Sequence, residues 1–270
     1  MPADARQANL LGRHSRMLRL ILALACLALP ASVAEARDCS HLFLGGQPPS
    51  LTGPQPGEHT TLCFLAYAAL VSGEARDPLW SAEHLTAHHA RRGPKTRRAG
   101  SFHPEQKLPL AARAYPRDYA RGWDRGHMTP AGDVSSRRAK DQTFSMANIV
   151  PQAPALNRGV WEGIESAVRH LAERDGAVFI VTGPVLRRGD ARMPEGHIWI
   201  PRATWKAIDD PRAGRRGAWI CANTAFPDCR TVSIAELSRI VGVNPFPALS
   251  PSEAAARPDL PMPEPSRYWH

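Results

Sequence analysis

The sequence predicts an α+β fold, and three observations carry that prediction. The chain has 270 residues, 43% of them hydrophobic and 22% charged, which suits one globular domain and excludes a disordered polymer. Short apolar segments rich in valine, isoleucine, tryptophan and phenylalanine recur between turn-forming residues, as strands do. One longer segment instead spaces its apolar residues as a helix does.

In chain order, the first element is a targeting segment. Arg6, Arg13, Arg16 and Arg19 precede an apolar run from Leu20 to Leu29, then Pro30 and the small residues through Ala36. That order reads as a secretory signal occupying residues 1–36, with cleavage expected near Ala36. The apolar run is too short to span a bilayer. Cys26 lies inside the run and is read as part of the signal rather than as a lipid acceptor. Setting it aside leaves Cys39, Cys63, Cys221 and Cys229, an even number in a chain expected in an oxidising compartment. Two disulfides are expected. Three connectivities are open to four cysteines, and proximity favours Cys39 with Cys63 and Cys221 with Cys229. Zinc is the rival reading, weakened by the absence of any C-x2-C pair.

Residues 45–57 are rich in glycine and proline and are expected to be turns and extended chain. Strands are expected over Leu62 to Leu70, Leu79 to Thr86, Val178 to Thr182, His197 to Ile200, Thr204 to Ile208 and Ala218 to Ala222. Trp199, Trp205 and Trp219 fall in them and are read as core. The helix is expected from Asn157 to Arg174, with Val160, Trp161, Ile164, Ala167, Val168 and Leu171 as its apolar stripe and Asp175-Gly176 as its stop. On that wheel Asn157 faces the core, Glu165 lies at the stripe's edge and Glu162 faces water. Residues 247–270 form a proline-rich tail, expected to be a loose extension. His84 and His88 stand four apart but lack the glutamate of a zinc-protease motif.

The formal charge is +9, from 34 Lys and Arg against 25 Asp and Glu. An exported protein with that surplus favours polyanionic partners. The cations cluster at residues 91–98, 137–138, 187–188 and 212–216. Singly, each cluster reads as a solvated loop; together they suit a phosphate backbone.

The densest chemistry lies in Gly122-Trp123-Asp124-Arg125-Gly126-His127-Met128-Thr129-Pro130-Ala131-Gly132-Asp133. Asn157 follows His127 by thirty positions and Glu165 follows two turns later. A first-turn asparagine ordinarily caps its helix. Here, however, Asp124-Arg125-Gly126-His127, the segment from Met146 to Gln152 with Asn148, and the N-x-x-x-W-x-x-x-E run from Asn157 to Glu165 occur in order. Together they resemble the DNA/RNA non-specific endonuclease family, the ββα-metal nucleases. The resemblance covers most of residues 37–246.

The resemblance implies a central antiparallel sheet flanked by helices, with a ββα unit on one side carrying the site. It implies a Mg²⁺-dependent endonuclease, with Mn²⁺ as the alternative ion, that cuts DNA and RNA with little sequence preference and leaves 5′-phosphate ends. His127 is then the general base and Asn157 the single direct metal ligand. Glu165 is the acidic partner of the metal's water or of an arginine. Arg98 is the phosphate-stabilising cation, with Arg97 beside it as the competing assignment. Asp124, Arg125 and Arg97 are expected near nucleic acid, and Asn148 is given a supporting role. Partners are DNA and RNA substrates, with no membrane after signal cleavage. A homodimer and a monomer are both open, as are periplasm and medium. A basic protein that binds nucleic acid without cutting it is the alternative from another class, and a chelator separates the two.

Overall fold

A computed structural model describes residues 38–98 and 100–262. The expected signal segment, Cys26 and residues 263–270 of the tail lie outside them. Seven strands form one sheet: β2 (His59–Cys63), β3 (Ala68–Ser72), β4 (Pro78–Thr86), β7 (Ala177–Val185), β8 (Ala203–Asp210), β9 (Arg215–Ala222) and β10 (Cys229–Val232). Their spatial order is β10-β9-β8-β7-β4-β3-β2, and every neighbouring pair is antiparallel. The central strands are buried on both faces, which is why they read as near-continuous apolar runs. Two small ribbons flank the sheet: β1 (Ser50–Leu51) with β11 (Val243–Asn244), and β5 (Asp124–His127) with β6 (Ile149–Gln152).

Side chains alternate across the sheet, so consecutive residues enter different layers. Trp205, Ala207, Val181, Ala82 and Ala218 pack with α4 (Ile234–Val241) through Ile234, Leu237 and Val241. Ile208, Ile180, Val178, Leu85, Trp219 and Cys221 pack with α3 (Trp161–Asp175) through Trp161, Ile164, Val168 and Leu171. The three expected core tryptophans are buried to 1% exposure or less. Helix α4 is bounded by Ser233, whose hydroxyl accepts from Glu236 N, and by Gly242 in the left-handed region.

Both expected disulfides are present, Cys39–Cys63 and Cys221–Cys229. The second joins directly opposed residues of β9 and β10.

Four sequence expectations are corrected. The segment 62–70 is not one strand but the arms of the β2–β3 hairpin. Phe64 and Tyr67 stack at 4.3 Å across a turn closed by Phe64 N donating to Tyr67 O. The segment 197–200 makes only an isolated bridge between Trp199 and Arg192, because Ile198 and Trp199 are both buried and no ladder forms beside them. The regular helix begins at Trp161 rather than Asn157, because residues Leu156–Val160 form a π-helical turn. Within the proline-rich tail, Ser250 and Glu253 cap a short helix, α5 (Pro251–Ala255), and Pro261 O accepts from Trp219 Nε1. The remaining helices are α1 (Ala87–Arg92) after β4 and α2 (Arg137–Thr143) before β6.

Candidate active site

The β5–β6 ribbon leads through the π-helical turn into α3, giving a strand–strand–helix unit. Its register opposes Asp124 to Gln152 and His127 to Ile149. Gly126 is required in that register, since a Cβ there would lie 1.9 Å from Gln152 Oε1. Thus Asp124-Arg125-Gly126-His127 is a paired strand and not a charged turn.

His127 sits between aromatic rings, with Phe144 at 5.1 Å and Phe102 at 5.5 Å between centroids. Its Nε2 is buried and has no hydrogen-bond partner. Burial, aided by the nearby Arg98 guanidinium, pushes the imidazole down to about 4. His127 is therefore neutral at neutral pH, the state that accepts a proton. Arg98 packs over the same Phe144 ring, 4.6 Å from its centroid, and its charge acts on His127; both arginines are exposed. Of the two arginines, Arg98 is the one brought to His127.

Asn157 lies in the π-helical turn, and its side chain does not cap α3. Its Nδ2 donates to Asp124 Oδ2 at 3.0 Å, which leaves the amide oxygen as the group available to another partner. The same carboxylate takes two bonds from Arg158, at 2.7 and 2.5 Å. Burial alone would raise Asp124, but these donors outweigh it and hold the carboxyl below its usual range. Asp124 is thus a clasp between strand and helix start rather than an outward contact.

Arg125 also turns inward. Its guanidinium donates to Pro116 O at 2.7 Å and stacks near Phe102 and Tyr119. Asn148 is fully buried, accepts from Thr129 N and donates to the carbonyls of Thr129 and Thr143. It holds the chain just past His127 and does not face the imidazole. Both side chains satisfy backbone groups of the segments that adjoin the ribbon: Pro116 O before it, and Thr129 and Thr143 between its strands.

Glu165 reaches a buried charged cluster that the sequence reading did not anticipate. Glu83 from β4, Asp133, Arg169 from α3 and Lys206 from β8 share it. Arg169 donates to Asp133 at 3.0 Å, and Lys206 Nζ donates to Thr182 Oγ1 at 2.7 Å. Burial pushes Glu165 up to about 7, against the pull of Lys206 and Arg169. Burial and the neighbouring acids raise Glu83 well above the carboxylate range, and its Oε1 has no partner. Arg169 was findable, standing four residues after Glu165 on one helix. Glu83, Asp133 and Lys206 gave no local signal. Among the described residues, no group of three or more His, Cys, Asp or Glu side chains is placed to hold a metal ion. No described helix is long and apolar enough to cross a membrane.

Comparison with known proteins places the chain in a family. The model of the DNA/RNA non-specific endonuclease family matches residues 49–252. The mitochondrial nuclease EXOG of Homo sapiens is 31% identical over 210 residues, covering 69% of this chain and 57% of that protein. The EXOG of Danio rerio is 33% identical over 196 residues, covering 64% and 57%. The chain thus spans little more than half the length of these relatives. Nuclease C1 of Cunninghamella echinulata var. echinulata is 31% identical over 207 residues, covering 68% of this chain and 82% of that one. In fold, the chain is similar to one in the crystal structure of the EndoG/EndoGI complex. The TM-score is 0.67 at 24% identity, covering 74% of this chain and 90% of that one.

Proposed function

This chain belongs to the DNA/RNA non-specific endonuclease family, and from that premise we propose that it is an exported endonuclease hydrolysing phosphodiester bonds of DNA and RNA. One observation carries the reading: a histidine whose buried Nε2 has no hydrogen-bond partner, on a strand whose first residue clasps the asparagine before the next helix. The two disulfides support an oxidising destination, periplasm or medium.

In this reading the His127 imidazole takes a proton from water. The resulting oxygen joins phosphorus as the bond to the 3′ oxygen breaks. The leaving oxygen gains a proton, giving a 3′-hydroxyl and a 5′-phosphate. Arg98 stabilises charge growing on the phosphoryl oxygens. The residues suit a hard divalent cation: the amide oxygen of Asn157 is left over by the Asp124 bond, and among the described residues no His, Cys, Asp or Glu cluster offers a softer metal a site. Asn157 would hold Mg²⁺, with Mn²⁺ as the alternative, and the bound ion supplies charge neutralisation at the phosphate. Asp124 orients that asparagine, and Asn148 fixes the backbone behind the histidine. Because these groups grip phosphate rather than base edges, cleavage should be largely independent of sequence.

The test is digestion of plasmid and of RNA by the purified protein with and without EDTA. Cleavage should stop with the chelator, and His127→Ala should lose about 10²- to 10⁴-fold in rate. Cutting by His127→Ala at the native rate would overturn the assignment.

A further inference from the structure

The four basic clusters of the chain do not share one use. Arg215 is bound to Asp175 and Asp259, and Arg216 to Asp209 and Glu253. The Arg187 guanidinium is held by the carbonyls of Leu186 and Ile240. Arg137 and Arg138 enter no ion pair among the described residues, and residues 91–98 are the larger group of this kind. Their charge is uncompensated by the protein itself.

Arg91 and Arg92, on the last turn of α1, line a cleft of about 720 Å³ with His88, Lys95, Thr96 and Ser135. Its walls carry no acid and no large apolar side chain. The cleft is built and not a chance gathering of loose side chains. The Nζ of buried Lys140 donates to the carbonyls of Gly93 and Thr96 at 2.8 and 2.9 Å, and Thr96 Oγ1 donates to Arg92 O at 2.9 Å. Gly93 passes so close to Gly132 that a Cβ would lie 1.9 Å from its carbonyl oxygen. The carbonyls of Arg92, Gly93 and Thr96 are thereby occupied. What remains for a ligand is guanidinium, ammonium, imidazole and hydroxyl groups.

The cleft is also tethered close to the active site by the chain itself. Lys95 precedes Arg98 by three residues, a span of at most about 11 Å for extended chain. Arg98 packs on the ring that contacts His127. A strand of duplex advances about 3.4 Å per phosphate, so the cleft lies on the order of three phosphates from the one at Arg98.

We propose that this cleft is a second phosphate-binding subsite, gripping the sugar–phosphate backbone of the nucleic-acid strand whose cleavage is assigned to His127. The proposal rests on the nuclease reading above. Donors without an acid, and without an apolar floor for a base, fit a run of phosphodiesters and no particular sequence.

The test compares Arg91→Ala/Arg92→Ala/Lys95→Ala with the unaltered protein on two substrates. One is a duplex of about 30 base pairs, long enough to reach the cleft. The other is the p-nitrophenyl ester of thymidine 5′-phosphate, whose single phosphodiester cannot. For the duplex, kcat/KM should fall about tenfold at ~0.1 M salt, and the slope of log affinity against log salt should flatten by about 2 to 3. Turnover of the ester should stay within about twofold, since the cleft makes no contact with the reacting phosphate. Arg91→Lys/Arg92→Lys should keep most duplex activity, because a lysine still neutralises a phosphate. An undiminished duplex rate overturns the proposal, and so does an equal loss on both substrates. If the unaltered protein cleaves neither substrate, the nuclease reading fails by itself. The cleft is then judged by duplex binding in EDTA, followed by fluorescence anisotropy, where equal salt slopes for protein and variant would sink it.

Discussion

The two faces of the sheet are built from the same strands and have opposite chemistry. On β8, Trp205 and Ala207 join the apolar layer under α4, while Lys206 between them enters the layer under α3 and approaches the Trp161 ring. On β4, Ala82 and Glu83 divide in the same way. The α4 layer holds tryptophan, leucine and valine in contact. The α3 layer encloses Glu83, Asp133, Glu165, Arg169 and Lys206 beside the His127 ribbon. One strand can therefore place apolar side chains under α4 and charged ones under α3 at consecutive positions, as Trp205 and Lys206 do.

That contrast can be broken at either face. On the charged side, Lys206→Met removes a buried ammonium from among three acids and should cost about 3–5 kcal/mol at pH 8. Without the ammonium, Glu83, Asp133 and Glu165 titrate at still higher pH in the folded state than in the unfolded one. The folded state then binds protons more readily, so the deficit should shrink as pH falls toward 6, as urea titrations at both pH values would show. Trp205→Ala, on the apolar side, should cost a similar ~3–5 kcal/mol but with no such pH dependence. A pH-dependent Trp205 variant would mean that the layers are coupled.

His127→Gln gives a smaller effect of the opposite sign. The folded imidazole is depressed to about 4, so between pH 6.5 and that value the unfolded chain binds more protons. The contribution of His127 to stability should be lost across this window, so the glutamine variant should gain stability relative to the unaltered protein as pH falls from 6.5 toward 4. Parallel stability curves for the two proteins would argue against a buried, neutral histidine. Smallest of all, Glu162→Gln should change stability by no more than about 0.5 kcal/mol, because its pairing with Arg169 is long at 3.8 Å and open to solvent.

The strands β4, β7, β8 and β9 were legible because two-sided burial writes a continuous apolar run. The same signal misled at 197–200, where Ile198 and Trp199 are buried without a ladder, and at 62–70, where aromatic residues occupy the turn. The helix was legible from its stripe, but its start was not, since a π-helical turn shifts residues off the regular wheel before Trp161. In the candidate site, His127, Asn157 and Glu165 stood out because short motifs with fixed spacing carry them. Glu83, Asp133 and Lys206 could not. They converge from positions 50 to 123 residues apart on different elements, and each alone looks like a surface charge. The inward turn of Arg125 and the backbone clamp of Asn148 were equally hidden, because residue type does not reveal which backbone groups in the adjoining loops will need a side-chain partner.

Lys140 has a consequence for the energetics of encounter. By tying down the carbonyls at positions 93 and 96, it places the ordering of the basic loop within folding. Substrate then meets a surface already in shape. The entropy lost on association should come from the nucleic acid and its counterions, and the rate of capture should follow diffusion and ionic strength rather than a loop-closing step.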